Sequence, residues 1–549
     1  MSTPALARHV LRADQGAFSG TGKLVLLILR FSRRSLICWT GLALGITWYT
    51  VSALEVVFAD PEALRARAAV IGLPAAAMLS GPGYGLEDYS VPAMMANELL
   101  GAYAVFLAIL CLRQGIVHTR AAEEAGRADL IGALPVARLA PLTAALIVVL
   151  CSALAVCLAV CTALLLSGFD PAGALLCVSG LFGVGLVFGA VGVFCAQLSS
   201  STRTAFSLSV LVLAFGYLLR AAGDASELGG SLLSWLSPFG WAQQTRVFVQ
   251  ARAWPLLLYP VLILPLLSAA YLLQSRREIG AGLLPTRLGR DRARTMDRTL
   301  LGVSLRLERT RMITWLVALF IAAAMNGSLA RPVAEALRDV PALQPLLGVQ
   351  GDAALEELVL ATLAVFLALT AMAAGLYAVQ SPHRLRQDEA LGRGGLLLAG
   401  PVTRYWLLGT QLLVCAAGCV LLCAAAGAGL GLGAQPVFEQ PVLGLCVLAS
   451  LAFVPLLWCW LALAFLAYGL RHGGLLVWLG IVACIVVGIY GALLNIPQQL
   501  IDLEPFTALD VLAVARGQGQ GWVLVGYLLA AVLLAAAAMA AFRRRNVGS

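Results

Sequence analysis

Four groups of residues in this chain have types and spacings that could do chemistry. The first is SGTGKL, Ser19–Leu24, which places Lys23 among glycines in the manner of a phosphate-binding loop. Such a loop needs its two glycines five positions apart, a buried strand before it, and a Ser or Thr after the lysine to hold magnesium. Here Gly16 and Gly22 are six positions apart, Leu24 follows the lysine, and no strand pattern precedes it. Lys23 is the only lysine in the chain, and no LSGGQ-like segment occurs. ATP hydrolysis is therefore expected to come from another polypeptide. The second group is Cys415, Cys419 and Cys423, a stripe along one helix face. With no His or carboxylate beside them they read as small packing residues rather than zinc ligands. No disulfide framework is suggested by the thirteen cysteines. The third group is the four histidines, His9, His118, His383 and His472, too scattered for a triad or metal set. The fourth is the ionisable residues of the apolar runs. Glu55, Glu98 and Arg220 lie near the ends of those runs, and the middles are nearly bare. A proton-coupled transporter usually needs carboxylates there. Two further matches are discounted: NGS (Asn326–Ser328) falls at the end of an apolar run, and GPGYG (Gly81–Gly85) reads as a turn.

One charged motif occurs twice. EEAGRADLIGALPVAR runs from Glu123 to Arg138, and EALGRGGLLLAGPVTR from Glu389 to Arg404, each shared residue shifted by 266 positions. Read as a helix of about three turns, each copy starts with acids that suit the positive end of a helix dipole: Glu123 and Glu124, or Asp388 and Glu389. Arg127 or Arg393 follows. Leu130, Ile131 and Leu134, or Leu396, Leu397 and Leu398, then lie on one side. Pro135 or Pro401 ends the segment and suits the first position of the next helix. Arg138 or Arg404 stands at the membrane boundary, where it can reach phosphates. The result is a short amphipathic helix between two apolar runs, offered twice, as a soluble partner with two-fold symmetry requires.

The elements that carry these loops are membrane spans. The chain has 549 residues, 61% hydrophobic and 12% charged, with a mean hydropathy of +0.91. A span needs about 20 apolar residues, and twelve such runs are predicted: 35–57, 97–117, 139–166, 173–197, 204–222, 254–274, 313–330, 357–379, 405–432, 441–468, 474–494 and 521–542. The alternating pattern of a membrane barrel is absent. With the N-terminus cytoplasmic, the inner segments hold 29 of the 37 Lys and Arg, while 18 of the 28 acids fall outside. That asymmetry follows the positive-inside rule and places both termini in the cytoplasm of a cell-membrane protein. The net charge of +9 is accounted for by topology and anionic lipid headgroups, not by nucleic acid. LVLLIL, Leu24–Leu29, is flanked by Lys23, Arg30, Arg33 and Arg34 and reads as a surface helix leading into the first span. No cleavable leader is expected.

The duplication extends beyond the loop. RFSRRSLICW (Arg30–Trp39) answers RLERTRMITW (Arg306–Trp315), and LSPF (Leu236–Phe239) answers LEPF (Leu503–Phe506). Near-constant offsets predict an all-α protein of two fused six-span repeats in parallel orientation. The expected parts are 1–34, a cytoplasmic segment with its surface helix; 35–274, the first half; 275–312, an Arg-rich linker; 313–542, the second half; and 543–549, a tail.

The loop motif resembles the acid–x–x–G–R–x–x–L–L–x–x–x–P–V–x–R signature of ABC-2-type exporter permeases. The duplicated halves, the Arg-rich linker and LSPF are similar to the tetronasin-type polyketide antibiotic and multidrug exporters of actinobacteria. The resemblance covers essentially the whole chain. It implies a type V exporter subunit that moves hydrophobic or amphipathic drugs. Two copies of a separate ATPase, which holds the ATP and Mg2+, would dock on the two loops as coupling helices. It implies a drug path between the halves, lined from spans 1, 2, 5, 7, 8 and 11. Trp48, Tyr49, Tyr103, Phe106, Phe215, Tyr217, Phe320, Phe366, Tyr377 and Trp478 are the aromatic candidates there. It also implies short re-entrant helices at Pro238, Phe239, Pro505 and Phe506 as an outer gate. The second loop departs from the signature, since Gly394, Gly395 and Gly400 stand where the first has Ala128, Asp129 and Leu134. Each glycine weakens a helix by about 1 kcal/mol, so asymmetric coupling is expected. A proton-coupled drug transporter and a membrane-embedded lipid-processing enzyme are the competing classes. The first lacks its carboxylates, and the second lacks a clustered acid or metal site.

Overall fold

Helices are the answer to long apolar runs, because in lipid only internal hydrogen bonds can satisfy the backbone. The computed structural model describes residues 17–72, 74–278, 280–283, 299–338, 355–390, 392, 395, 398–438, 440–491, 496–519 and 521–545. Among these there is no strand, and eleven helices are long and apolar enough to cross a membrane. Twelve were expected. The run at 474–494 forms a helix of only 17 residues, Gly474–Tyr490. At 1.5 Å per residue that is about 25 Å, short of a ~30 Å hydrocarbon layer.

The chain divides into two units, Met1–Leu288 and Gly289–Ser549, and the division falls inside the linker expected at 275–312. The first unit contains α1 (Thr21–Val57), α2 (Pro61–Ile71), α3 (Pro74–Leu79), α4 (Leu100–Val117), α5 (Arg120–Glu124), α6 (Arg127–Gly132), α7 (Ala140–Leu166), α8 (Pro171–Leu198), α9 (Thr202–Ser226), α10 (Pro238–Gln243) and α11 (Leu258–Arg276). The second contains α12 (Leu300–Arg338), α13 (Leu355–Gln380), α14 (His383–Ala390), α15 (Arg404–Ala434), α16 (Leu443–Leu451), α17 (Val454–Gly469), α18 (Gly474–Tyr490), α19 (Val511–Ala515) and α20 (Gly521–Arg544).

Small polar residues start several of these helices. Asp170 Oδ2 accepts from Gly173 N at 2.8 Å, and Ser201 Oγ from Thr204 N at 3.2 Å. Thr403 Oγ1 accepts from Trp406 N at 3.2 Å. Each satisfies one of the amides that a helix start leaves unpaired.

Within the first unit α8 packs on α4, α7, α9 and α11, and α1 packs on α7. Glycine permits the closest of these approaches: a Cβ on Gly192 of α8 would sit 2.5 Å from the Leu112 carbonyl oxygen of α4. Within the second unit the corresponding pairs meet: α12 on α15, α13 on α17, and α17 on α20. The α12–α15 seam is again backbone on backbone. A Cβ on Gly433 would lie 2.1 Å from the Ala324 carbonyl oxygen. Small residues at such crossings are how membrane helices gain contact where lipid offers no hydrophobic drive.

The surface helix expected before span 1 is not a separate element. It is continuous with that span in α1, 37 residues long, and the same holds for the 39 residues of α12. Neither RFSRRSLICW nor RLERTRMITW contains Pro or Gly, so nothing interrupts the helix.

Topology has a direct test. Of the thirteen cysteines only Cys38 is exposed, so Cys38→Ser gives a quiet background. Glu62→Cys and Glu87→Cys, both at exposed positions, are expected to react with a membrane-impermeant maleimide on intact cells. Arg127→Cys is expected to react only after the membrane is opened. The reverse pattern overturns the assigned orientation.

Candidate functional site

The first repeated loop is a pair of short helices, not the single three-turn helix expected. α5 and α6 are separated at Gly126, whose φ is +69°. In the left-handed region glycine carries no Cβ penalty, and here it is the residue that ends α5. The second loop breaks at the matching residue, Gly392, with φ +71°. Gly126 N donates to Glu123 O, and Gly392 N to Glu389 O, each at 3.0 Å.

Glu123 does not face outward. Its Oε1 accepts from Arg277 Nη2 at 2.5 Å, and its Oε2 from Arg120 Nη1 at 2.7 Å and Gly280 N at 3.2 Å. Glu124 Oε1 accepts from Thr202 N at 2.9 Å, at the start of α9. Arg127, Leu130, Leu134, Pro135 and Arg138 are exposed; Leu130 is 74% and Leu134 56% accessible. Ile131 is different from its neighbours. It packs with Val136 and Ala137 against Leu24, Val25 and Ile28 of α1. The SGTGKL stretch belongs to the same brace: Ser19 O accepts from Ala137 N at 3.0 Å. Pro135 does not start the following helix. α7 begins at Ala140, and Pro141 occupies its first turn. Arg138 is exposed, and its Nη2 donates to the Arg277 carbonyl at 2.7 Å.

In the second loop Glu389 Oε2 accepts from Arg545 Nη2 at 2.5 Å and from Tyr468 Oη at 3.1 Å. Asp388 pairs with Arg384 at 3.6 Å. Arg404 Nη1 donates to the carbonyls of Arg545 at 2.6 Å and Arg543 at 3.0 Å. Pro401 is exposed and again precedes the helix proper, which Thr403 caps. Leu398 is half-buried. Arg393, Leu396 and Leu397 lie outside the described residues.

At the opposite end of the first unit, Pro238 and Phe239 open α10, and Ser237 Oγ accepts from Phe239 N at 3.2 Å. Phe239 is buried and stacks on Phe188 at 5.0 Å. In the second unit Pro505 lies in a turn, not in the short helix expected. Glu504 takes the place of the serine: its Oε1 accepts from Phe506 N at 3.2 Å and its Oε2 from Thr507 N at 2.7 Å. That carboxylate satisfies two of the amides that follow it, and Ala508 N donates to the Glu504 carbonyl at 3.0 Å. Phe506 is buried 6.2 Å from Phe453.

Sequence reasoning missed a buried polar knot beside α10. Asn97 sits in a π-helical turn, Met95–Leu99, and its Nδ2 donates to Tyr84 O at 2.9 Å. Gln243 Nε2 donates to Ser80 O at 3.1 Å and Asn97 O at 3.2 Å. Arg220, wholly buried, pairs with Asp224 at 3.3 Å and donates to Met78 O at 2.8 Å. The glycines of GPGYG, all at positive φ, allow this loop to fold onto the knot. Nearby, Tyr89 Oη donates to Glu98 at 2.9 Å. Burial, then the Glu98 carboxylate, push the Tyr89 hydroxyl well above its usual range, so it stays a donor.

The aromatic candidates separate. Tyr103 and Phe106 line an apolar cavity of about 240 Å³ with Ala43, Ile46 and Thr47. Trp48, Phe215, Phe320 and Trp478 are exposed; Tyr49, Tyr217 and Phe366 are half-buried. Tyr377 is fully buried in the core of the second unit, under the Arg311 guanidinium at 4.9 Å. It is a packing residue there. Cys415, Cys419 and Cys423 are likewise core residues of that unit. Among the described residues no three His, Cys, Asp or Glu converge as a metal site would need.

Each unit is built of apolar helices with a charged loop between its second and third apolar runs, and comparison of the sequence supplies the class: the chain belongs to the family of multidrug efflux system permeases. Residues 298–543 match the family described as the C-terminal domain of the multidrug efflux system permease Rv1217c. Over 539 residues the chain is 34% identical to the multidrug efflux system permease protein Rv1217c of Mycobacterium tuberculosis (strain ATCC 25618 / H37Rv), covering 96% of each chain.

Proposed function

We propose that this chain is the membrane subunit of an ABC-type exporter of hydrophobic or amphipathic drugs, powered by a separate ATPase. In this reading the eleven long helices and the shorter Gly474–Tyr490 helix, whose mismatch local thinning of the bilayer accommodates, form two duplicated six-span halves in the cytoplasmic membrane. Both termini are cytoplasmic, and two ATPase copies sit beneath the two repeated loops. One observation carries it: Leu130 and Leu134 are exposed at the tip of a loop whose root is bound by Glu123, Glu124, Ile131 and Arg138. An apolar tip on a fastened base is suited to receive a push from a partner. The name of the mycobacterial relative supports the drug-efflux part of the reading.

The energy source is tested by purification. Taken from native membranes in mild detergent, the chain is expected to bring an ATPase with it, and the assembly to hydrolyse ATP. The chain stripped of partners is expected to hydrolyse none. Lys23→Ala is expected to leave drug efflux by the assembly unchanged, since Lys23 belongs to a helix start and not to a nucleotide site. Hydrolysis by the stripped chain, abolished by Lys23→Ala, overturns the proposal.

A further inference from the structure

We infer that Glu123 with Arg277, and Glu389 with Arg545, are paired positioning latches that transmit displacement of the docking loops to the ends of the span helices. The inference rests on the exporter reading above.

In the first unit three elements meet at one arginine. Arg277 immediately follows α11. Its Nη2 and Nη1 donate to the two Glu123 oxygens at 2.5 and 3.0 Å, a fork matched to a carboxylate. Its Nε donates to Gln197 Oε1 at 2.5 Å, near the end of α8. Arg120, with no exposed side chain, closes the other side. Its Nε and Nη2 reach the Ala196 carbonyl at 2.9 and 2.7 Å. The loop returns the grip from its far end, through Arg138 and the Arg277 carbonyl.

In the second unit the same three elements meet with other side chains. Arg545 immediately follows α20. It holds Glu389 and donates from Nη1 to the Tyr468 carbonyl at 2.8 Å, near the end of α17. Its guanidinium lies 4.7 Å over the Tyr468 ring. Arg404, at the far end of this loop, holds the Arg545 carbonyl. So each loop is tied at both ends to the residue that follows the sixth apolar run of its unit. That residue in turn grips the end of the fourth.

Stability alone is a poor account of this arrangement. An ion pair largely withdrawn from water often adds little net stability over an apolar packing of the same volume, yet one holds each loop, with side chains 7% and 9% accessible in the first unit and 11% and 16% in the second. What the pairs supply is fixed geometry: a two-pronged fork between Arg277 and Glu123, and a single contact between Arg545 and Glu389 that the Tyr468 hydroxyl backs. A loop held so cannot move without moving the helices it holds.

The test uses the chain assembled with its ATPase in membrane vesicles. Arg277→Met and Arg545→Met keep an unbranched side chain and remove the guanidinium; Arg277→Lys and Arg545→Lys keep the charge. Glu123→Gln is the near-isosteric partner. ATPase co-purification and basal ATP hydrolysis are expected to persist. Drug exported per ATP is expected to fall about tenfold in the Met variants, within the usual range of a coupling free energy between sites. The Lys variants are expected to recover part of it. Unchanged export per ATP in the Met variants overturns the inference. So does loss of folded chain in the Met, Lys and Gln variants alike, which assigns the pairs to folding only. Failure of the exporter reading is a separate result: the unaltered chain then brings no ATPase with it.

Discussion

Leu130→Asp combined with Leu134→Asp leaves the chain folded in the membrane but without its ATPase and without drug efflux. Both leucines are exposed, 74% and 56%, so the charges meet water in the free chain and cost it little. In the assembly their burial against a partner contributes about 1.5–3 kcal/mol for each side chain fully covered. Substitution forfeits this and adds the cost of desolvating two carboxylates. Loss of even half that range weakens binding by more than about tenfold. Ile131→Asp is not an equivalent test. Ile131 faces Leu24, Val25 and Ile28, so a charge there breaks the brace between α1 and the loop and confuses docking with folding. The measurements are co-purification of the ATPase, membrane abundance of the variant, and drug susceptibility of the cells. A variant that still retains the ATPase and still exports removes the docking role from this loop.

Gly433→Ala, by contrast, is expected to destabilise the second unit strongly. One methyl group is added, but it falls 2.1 Å from the Ala324 carbonyl oxygen and 3.0 Å from Ser328 N. Both are backbone atoms of α12, so no side chain can rotate aside. The helices must part, and the loss spreads to Gly429, whose Cβ position lies 2.4 Å from the Phe320 carbonyl. Overpacking a filled core costs about 1–3 kcal/mol, and a backbone obstruction belongs at the upper end. Gly444→Ala in α16 is the control, because nothing lies within 4 Å of its Cβ position. Thermal aggregation of the detergent-solubilised chain reads the difference: a marked drop for Gly433→Ala, little change for Gly444→Ala. Equal midpoints refute the backbone seam.

Much of this was legible beforehand, and the reasons differ by feature. Apolar runs report spans because the bilayer demands them, and eleven of the twelve runs form helices long enough to cross. The short Gly474–Tyr490 helix escaped because hydropathy measures composition, not where a helix stops. The loop was found through its repetition, but its internal break was misjudged. The signal was present: Gly126 and Gly392 follow a short polar helical stretch at the position where a helix ends in a left-handed residue. The direction of Glu123 was not readable. An acid at a helix start suits the dipole whichever way its side chain turns, and its partner Arg277 is 154 residues away. Pro505 misled because LSPF and LEPF look alike and cap the same following amide, yet a helix opens at the first and only a turn at the second. Tyr377 misled because an aromatic on a span looks the same from sequence whether it faces a path or a core.

The arginines of the two loops mostly grip main-chain oxygens: Ala196, Ala281 and Arg277 in one unit, Tyr468, Arg543 and Arg545 in the other. Every amino acid supplies that oxygen. Substitution at an acceptor position therefore leaves the main-chain contact itself standing, and identity matters at the donors, at the glutamates and at Tyr468, whose side chain also holds Glu389 and underlies Arg545. The acceptor residue is alanine at 196 and tyrosine at 468, side chains of very different size behind one kind of contact.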